Sequence, residues 1–597
     1  MITQVALALA LAFPPVSPVL PAAAPGDVER SPCPVAVPDH TVCGFLVVPE
    51  RRDSPGRTIR VGYAVRTSTA ANRAPDPVVF MNGGPGASSI GLTGFLSRMF
   101  PDRDVVTVEQ RGGRHSRPSL GCPETAEAIL GLLREPATGG AAGTGVVVEA
   151  GPGGRVDGRA GVVAAAVACR ERLREQGVDL RGYTTREIAA DVIRLREALG
   201  HPSWNLFGVG YSTRVMLDVA AADPGGVRSV VLDSFQPEGV ARYDDAHRDL
   251  AGALARLGLR DRFEAMVRRL NARPARVTVT DPLLGTDFTA RLTGDDTAAL
   301  LAEALRKPGG AAVVAVLVGA LASGHDELLS PPADALAEGL MARELGLYHA
   351  VRCQDEVPFN TFDASSRFFT VKADKAVCDA WKLPASAPAN STTDAPVLAV
   401  GGRFDPATPA RTSRPAAERL PHGRFVEFAG AGHAVFLAEA CAREHIRAFV
   451  ADPARRLSPC PPEHVTAPSR PGDVRVSAAP YQVAAAPWLA APFALFALAS
   501  LAQLLAGALR GRALTAYAGL TGVAFTWLIT QEMYGAAGAG QATLAVGVPA
   551  MAGPYTWVAV GSAVLALAAF ARRRGWGQAV AALIGAGFLV WWFAWFL

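Results

Sequence analysis

Two late segments carry side chains able to move a proton. Residues 396–400 (PVLAV) form an apolar run of strand length that ends in Gly401-Gly402-Arg403-Phe404-Asp405-Pro406. A carboxylate in a loop just past a buried strand is well placed to orient an imidazole. Residues 424–428 (RFVEF) lead in the same way into Gly430-Ala431-Gly432-His433. Asp405 and His433 are therefore the candidate acid and base, a pair that takes a proton from a nucleophile. That nucleophile belongs upstream, on a tight glycine turn between a strand and a helix, where the expected pattern is G-x-S-x-G. The turn reads Gly208-Val209-Gly210-Tyr211-Ser212-Thr213-Arg214. Gly210 holds the nucleophile position and has no group to attack a carbonyl, although glycine does relieve the strained backbone of such a turn. Ser212 becomes a substitute nucleophile only if the turn shifts by two residues. In the unshifted register it falls in the first helical turn, where its hydroxyl more naturally caps backbone N–H groups.

The elements needed to hold these residues are legible. Residues 77–80 (PVVF) form an apolar strand feeding Asn82-Gly83-Gly84-Pro85-Gly86, whose glycines let the backbone approach a ligand closely. Residues 104–108 form a second strand ahead of Glu109-Gln110-Arg111-Gly112. Residues 184–199 (TTREIAADVIRLREAL) place apolar side chains at helical spacing, and Gly200 ends the helix. A strand at 204–209 (WNLFGV), a helix at 214–222, a break at Asp223-Pro224 and a strand at 229–233 (SVVLD) follow. Strand, glycine turn, helix, strand is the setting of a nucleophile elbow, and elbow, Asp, His is the α/β-hydrolase order.

Length and composition set the frame. At roughly 100–200 residues per domain, 597 residues imply several units. A net charge of +4 from 58 basic and 54 acidic residues, without a basic run, gives no reason to expect nucleic acid. Residues 1–24 read as an export signal, with an apolar stretch at 5–13 and Ala22-Ala23-Ala24 for cleavage, but no Lys or Arg ahead of it. Apolar runs at 488–509, 513–530, 554–571 and 579–597 approach or reach bilayer length. Arg510 and Arg512 follow the first run, and Arg572, Arg573 and Arg574 follow the third. The positive-inside rule puts those loops in the cytoplasm and the globular part outside. Glu532, at one end, is the one ionisable group of the runs, so an anchor or docking bundle is expected rather than a transporter. Residues 134–161 read as a glycine-rich surface loop and 461–486 as a linker. Cys33, Cys43, Cys122, Cys169, Cys353, Cys378, Cys441 and Cys460 favour disulfides in an exported chain. None has zinc spacing, so neither a metal nor a cofactor is expected.

Over residues 30–465 the chain resembles the exported α/β-hydrolases of peptidase family S33, the tripeptidyl aminopeptidase and proline iminopeptidase group. The resemblance rests on NGGPG at 82–86, QRG at 110–112, a YTT…D…LR.ALG pattern before the elbow, Asp-Pro at 405–406, GAGH at 430–433, and Cys441 and Cys460. It implies an α/β-hydrolase fold with a mostly helical lid, here followed by four C-terminal transmembrane helices. The expected units are a core at 25–233, a lid at 234–385, the rest of the core at 386–465, a linker at 466–486 and the membrane region at 487–597. Backbone donors at Gly84 and Tyr211 would form the oxyanion hole, and Asp355 or Glu356 would receive a substrate amine. Substrates would be peptides or related acyl compounds, with the membrane reached through the C-terminal helices. Neighbouring cysteines are expected to pair: Cys33–Cys43, Cys122–Cys169, Cys353–Cys378 and Cys441–Cys460. The chain departs from the family at Glu109, near Arg114 and, above all, at Gly210. The readings that follow are a hydrolase working through Ser212, a degenerate hydrolase that binds peptides or partners, and a His433–Asp405 base acting on water.

Overall fold

A computed structural model describes residues 24–54, 56–134, 159–362, 369–460 and 473–597. The expected export signal, most of the glycine-rich stretch and the first part of the linker lie outside these residues. Runs rich in valine and phenylalanine form the strands β1 (Val28–Ser31), β2 (Thr41–Pro49), β3 (Thr58–Arg66), β4 (Val78–Met81), β5 (Val105–Val108), β6 (Trp204–Val209) and β7 (Val227–Asp233). Between β7 and the next core strand comes the lid, which holds seven helices among its described residues, from Arg242–Arg256 to Phe369–Trp381. It also holds a hairpin of β8 (Ala275–Thr280) and β9 (Asp287–Leu292). The sequence ARVTVT of β8 alternates buried and exposed residues, as a half-buried strand must. The chain then returns to the core with β10 (Val397–Gly402) and β11 (Gly423–Phe428).

The main sheet runs β1-β2-β3-β5-β4-β6-β7-β10-β11. Pairing is antiparallel from β1 to β5 across β2 and β3, and parallel from β5 to β11. Every residue of β4, β6 and β10 is buried, because helices cover both faces of a parallel sheet. On one face Phe80, Phe207 and Phe436 meet with ring centroids 5.2–5.8 Å apart, directly beneath the loop that carries His433. In such sheets ligands gather beyond the carboxyl ends of the strands. Here the ends of β4, β6, β7 and β10 and the loop after β11 converge.

All four disulfides join sequence neighbours: Cys33–Cys43, Cys122–Cys169, Cys353–Cys378 and Cys441–Cys460. Cys441, His445 and Cys460 sit close enough to suit a metal, but both sulfurs are in the last of these bridges.

Beyond the core, four helices are long and apolar enough to cross a membrane: Pro487–Leu509, Ala513–Ala537, Ala552–Arg572 and Trp576–Phe596. A Cβ on Gly519 or Gly522 would strike Ser500 or Leu504 of the first of them, so small residues permit the close approach. Phe525, Phe588 and Trp592 fill the centre. The second helix continues beyond its span to Leu544. Part of the expected linker is folded. Strand β12 (Val474–Val476) pairs antiparallel with β13 (Gly547–Pro549), which lies between the second and third spans. Tyr481, in the helix Ala479–Ala485, donates its hydroxyl proton to Asp334 of the lid. The lid helix Gly310–Ala322 in turn lies against β12 and the helix Ala513–Leu544.

Candidate functional site

The site is built on strand ends. β6 ends at Val209, the chain turns through Gly210 at φ +57°, and the helix Ser212–Ala222 begins. The turn is pinned because Gly210 N–H donates to Asp233 O at the end of β7. Ser212 is wholly buried. Its Oγ accepts from Val209 N–H at 2.8 Å and donates to Met81 O at 2.6 Å. That hydroxyl therefore ties the ends of β4 and β6 together.

Asp405 follows β10 and His433 follows β11. Asp405 Oδ2 lies 2.7 Å from His433 Nδ1, and Asp405 is fully buried. Its carboxylate also receives the Thr408 hydroxyl and the N–H groups of Ala407 and Thr408. Burial alone would raise this acid; the adjoining imidazole and these donors outweigh it and hold the carboxyl well below the usual carboxylate range. With Nδ1 engaged, Nε2 is the working edge, and it points at Gly210. A Cβ built there would lie 2.8 Å from Nε2. That is closer than carbon tolerates, so a serine at 210 requires His433 to withdraw.

The loop 82–86 lies beside the elbow, where a Cβ on Gly83 would stand 2.6 Å from Val209 O and 3.6 Å from Tyr211 N. Gln110 organises it, its Nε2 donating to Asn82 O and Gly83 O while its Oε1 accepts from Gly86 N–H. Glu109 Oε1 accepts from Ser88 Oγ and from the N–H groups of Ser89 and Ile90. Arg352, from the lid, donates to Gly84 O at 3.2 Å. Gly84 has φ +112°, a conformation open to glycine. Among the described residues neither Gly84 N–H nor Tyr211 N–H is taken up by another group. Two uncommitted donors at such a place are what an oxyanion hole requires.

Asp355 and Glu356 prove to be in different situations. Glu356 is clasped by Arg352, by Arg214 at 3.1 Å and by Gln236 at 2.6 Å. Asp355 Oδ2 accepts from Thr185 N–H and Oγ; its buried Oδ1 makes no well-aligned hydrogen bond among the described residues, although the Ser386 hydroxyl lies close enough to the carboxylate to favour its charged form. Burial raises the Asp355 acid. Both residues line a cavity of about 170 Å³, with Arg214, Asp218, Glu238 and Thr185. Burial, with Glu238 and Asp355 nearby, pushes Asp218 up to about 6.

Several positioning residues carry no motif of their own. Asp233 accepts from Val435 and Phe436 N–H and from Ser234 Oγ, clamping the segment just after His433. Leu305 O, at the end of the lid helix Gly294–Leu305, accepts from His433 N–H at 3.4 Å. Gln110 sits inside a segment recognised only by resemblance, and Asp233 closes a strand directly after the apolar run Val230-Val231-Leu232. A polar residue ending such a strand was the available signal.

Residues 366–457, the part of the core that carries Asp405 and His433, match the family described as TAP-like protein. Serine protease Hip1 of Mycobacterium tuberculosis is 25% identical over 488 residues, covering 71% of this chain and 88% of that protein. Tripeptidyl aminopeptidase of Streptomyces lividans is 28% identical over 211 residues, covering 33% of this chain and 36% of that protein. Among solved structures, the proline iminopeptidase of Mycobacterium smegmatis aligns with 68% of this chain and 97% of its own, at 16% identity and a TM-score of 0.37. The chain thus has an α/β-hydrolase sheet, is similar to the TAP-like proteins over residues 366–457, and carries four apolar helices after that core.

Proposed function

We propose that the chain recognises peptides with a free N-terminus through a hydrolase cleft from which the serine step of its relatives has been removed. The observation that carries this reading is Gly210, a glycine at the elbow with the imidazole edge of His433 drawn against it. Without a hydroxyl there, no acyl-enzyme forms on this residue, and Ser212 is committed to the backbone. Asp355 would receive the peptide amine, because its Oδ1 is a buried acceptor at the cavity without a well-aligned donor. Thr185 Oγ bridges it to the Tyr211 hydroxyl at 2.9 Å, which links the amine site to the elbow. The domain would work outside the cytoplasmic membrane, held there by the four helices, since the arginine-bearing loops follow the first and third spans.

The test is calorimetric titration of the full-length chain in detergent with short peptides, free and N-acetylated, alongside labelling by a fluorophosphonate. Free peptides should bind, acetylated ones at least about tenfold more weakly, and no label should attach. Equal affinity for both removes the amine site, and stoichiometric labelling removes the reading of the elbow. A reporter active only outside the cytoplasm, fused after Arg574, should stay silent; activity there would reverse the orientation.

A further inference from the structure

Hairpins usually turn on polar residues, because the tip meets water. The loop that joins β8 to β9 in the lid reads Pro282-Leu283-Leu284-Gly285-Thr286 and carries no charge. Leu284 is 69% exposed and Leu283 49%; among the described residues before Trp488, no other large apolar side chain exceeds 45%. A single exposed leucine is ordinary, but the two most exposed side by side on one tip point to a partner. The turn that presents them is preformed. Asp281 Oδ1 accepts from Leu283 N–H at 2.8 Å and from Leu284 N–H at 3.1 Å. Gly285 N–H donates to Asp281 O, Asp281 N–H donates to Thr286 O, and Arg134 pairs with the Asp281 carboxylate.

The place of this tip selects the partner. Thr280, the last residue of β8, donates its N–H to Asp334 Oδ1 at 2.7 Å, and Tyr481 donates its hydroxyl proton to Oδ2 of the same acid. Tyr481 lies between β12 and the first of the four apolar helices. Ser477, just after β12, donates its hydroxyl proton to Phe596 O, where the fourth of those helices finishes. The hairpin is therefore tied to the end of the bundle where the first helix starts and the second and fourth finish. Trp488 and Tyr534 stand exposed at that end, and such rings favour the membrane–water interface. Trp488 is seven residues past Tyr481, about 10 Å at helical rise. Leu284 is four residues past Thr280, up to about 13 Å at strand rise. That reach is enough to bring the tip to the level of Trp488.

We propose that Leu283 and Leu284 insert into the surface of the lipid bilayer at this end of the bundle, so that the hairpin pins the lid to the membrane. The proposal rests on the reading above that the four helices span a bilayer. Entry suits this tip because both leucine N–H groups are already satisfied by Asp281, and unsatisfied backbone is what lipid penalises. Leucine side chains at the boundary between headgroups and acyl chains supply the attraction. The lid also carries Arg352 and Asp355, so the pin would fix the helix that closes over the cleft.

All eight cysteines are bridged, so Leu284→Cys gives the full-length chain a single thiol for a polarity-sensitive nitrobenzoxadiazole dye. The labelled protein is placed in phosphatidylcholine vesicles containing lipids with a nitroxide on the headgroup or the acyl chain. Glu418→Cys, exposed on a core helix, and Leu505→Cys, exposed on the first apolar helix, are labelled in parallel. The dye at 284 should lose most of its emission to the nitroxides, and the dye at 418 should keep its own. Adding Leu283→Glu to Leu284→Cys should restore the emission, because a charge resists entry. Equal quenching at 284 and 418, or quenching at 284 that ignores Leu283→Glu, overturns the proposal. So does a dye at 284 that the nitroxides spare: shielded from aqueous iodide it marks a contact between proteins, and open to iodide it marks a tip in water. The dye at 505 keeps the two readings apart. Quenching there by acyl-chain nitroxide upholds the spans whatever happens at 284; if 505 is spared, the bilayer reading falls and the proposal with it.

Discussion

Asp233 and Asp405 stand at or just beyond the ends of neighbouring parallel strands, β7 and β10, and both are fully buried. Their acids shift in opposite directions. Burial pushes Asp233 up to about 6, because its partners are two backbone N–H groups and a hydroxyl, which do not repay the loss of water. Asp405 suffers the same burial, but the imidazole of His433 at 2.7 Å turns the balance the other way. One acid anchors a loop and the other anchors a charge. Geometry separates these roles where residue type cannot: Asp233 holds the backbone just after His433, whereas Asp405 holds the ring itself.

The largest expected effect restores the missing hydroxyl. Gly210→Ser should gain fluorophosphonate labelling and raise ester turnover, provided His433 withdraws from the position now 2.8 Å from a would-be Cβ. On that background Asp405→Asn should cost about 10³–10⁴-fold in kcat, the scale of a triad whose imidazole is wrongly oriented. Asp233→Asn on the same background should cost no more than about tenfold. Equal losses would mean that the two acids do not divide the work in this way.

The next effect lies in stability. Asp233→Ala strips the acceptor from three buried donors and should cost about 3 kcal/mol, read as a lower unfolding midpoint of the detergent-solubilised chain. The pH dependence should also separate the acids. Asp233 has its folded value raised, so the folded state holds its proton longer and stability falls as pH climbs from about 4 to about 6. Asp405 has its folded value depressed, so its contribution is present above the ordinary carboxylate value and is lost as the solution is acidified below it. Asp233→Asn should flatten the first slope and Asp405→Asn the second. A stability profile in which either substitution flattens the wrong limb would sink the assignment.

The smallest effect is expected at Thr408, whose hydroxyl shares the Asp405 carboxylate with His433. Thr408→Val should cost about 1 kcal/mol, roughly fivefold in the turnover of Gly210→Ser. No change at all would leave His433 as the sole side-chain partner that matters to Asp405.

Much of this architecture was legible because it is local. The apolar run 204–209 is β6, and the glycine turn after it interrupts a strong pattern. What escaped depends on partners far away in sequence. Residues 473–486 look like a linker from their proline and alanine content, yet Val474–Val476 finds its mate at Gly547–Pro549, across two spans. The role of Gln110 is invisible until Asn82, Gly83 and Gly86 are folded around its amide. The pairing of Glu356 with Arg214 and Arg352, which come from two different elements, is likewise invisible in the sequence. Ser212 was ambiguous because a serine two places along a turn faces either the cleft or the backbone, and its hydrogen bonds to Met81 and Val209 appear only once β4 and β6 are side by side.

The pairing of β12 with β13 sets a height. The chain passes from the helix Ala479–Ala485 almost directly into Pro487–Leu509, and a second attachment clips it to the loop between later spans. With the lid helix Gly310–Ala322 resting on that clipped segment, a domain anchored in a bilayer by these helices would not roam like a ball on a string; its cleft would keep to a single plane. Ligands confined to that plane would meet it as though concentrated, while those anchored too far above or below would be missed whatever their chemistry. Geography, as much as pocket shape, would then choose what this protein encounters.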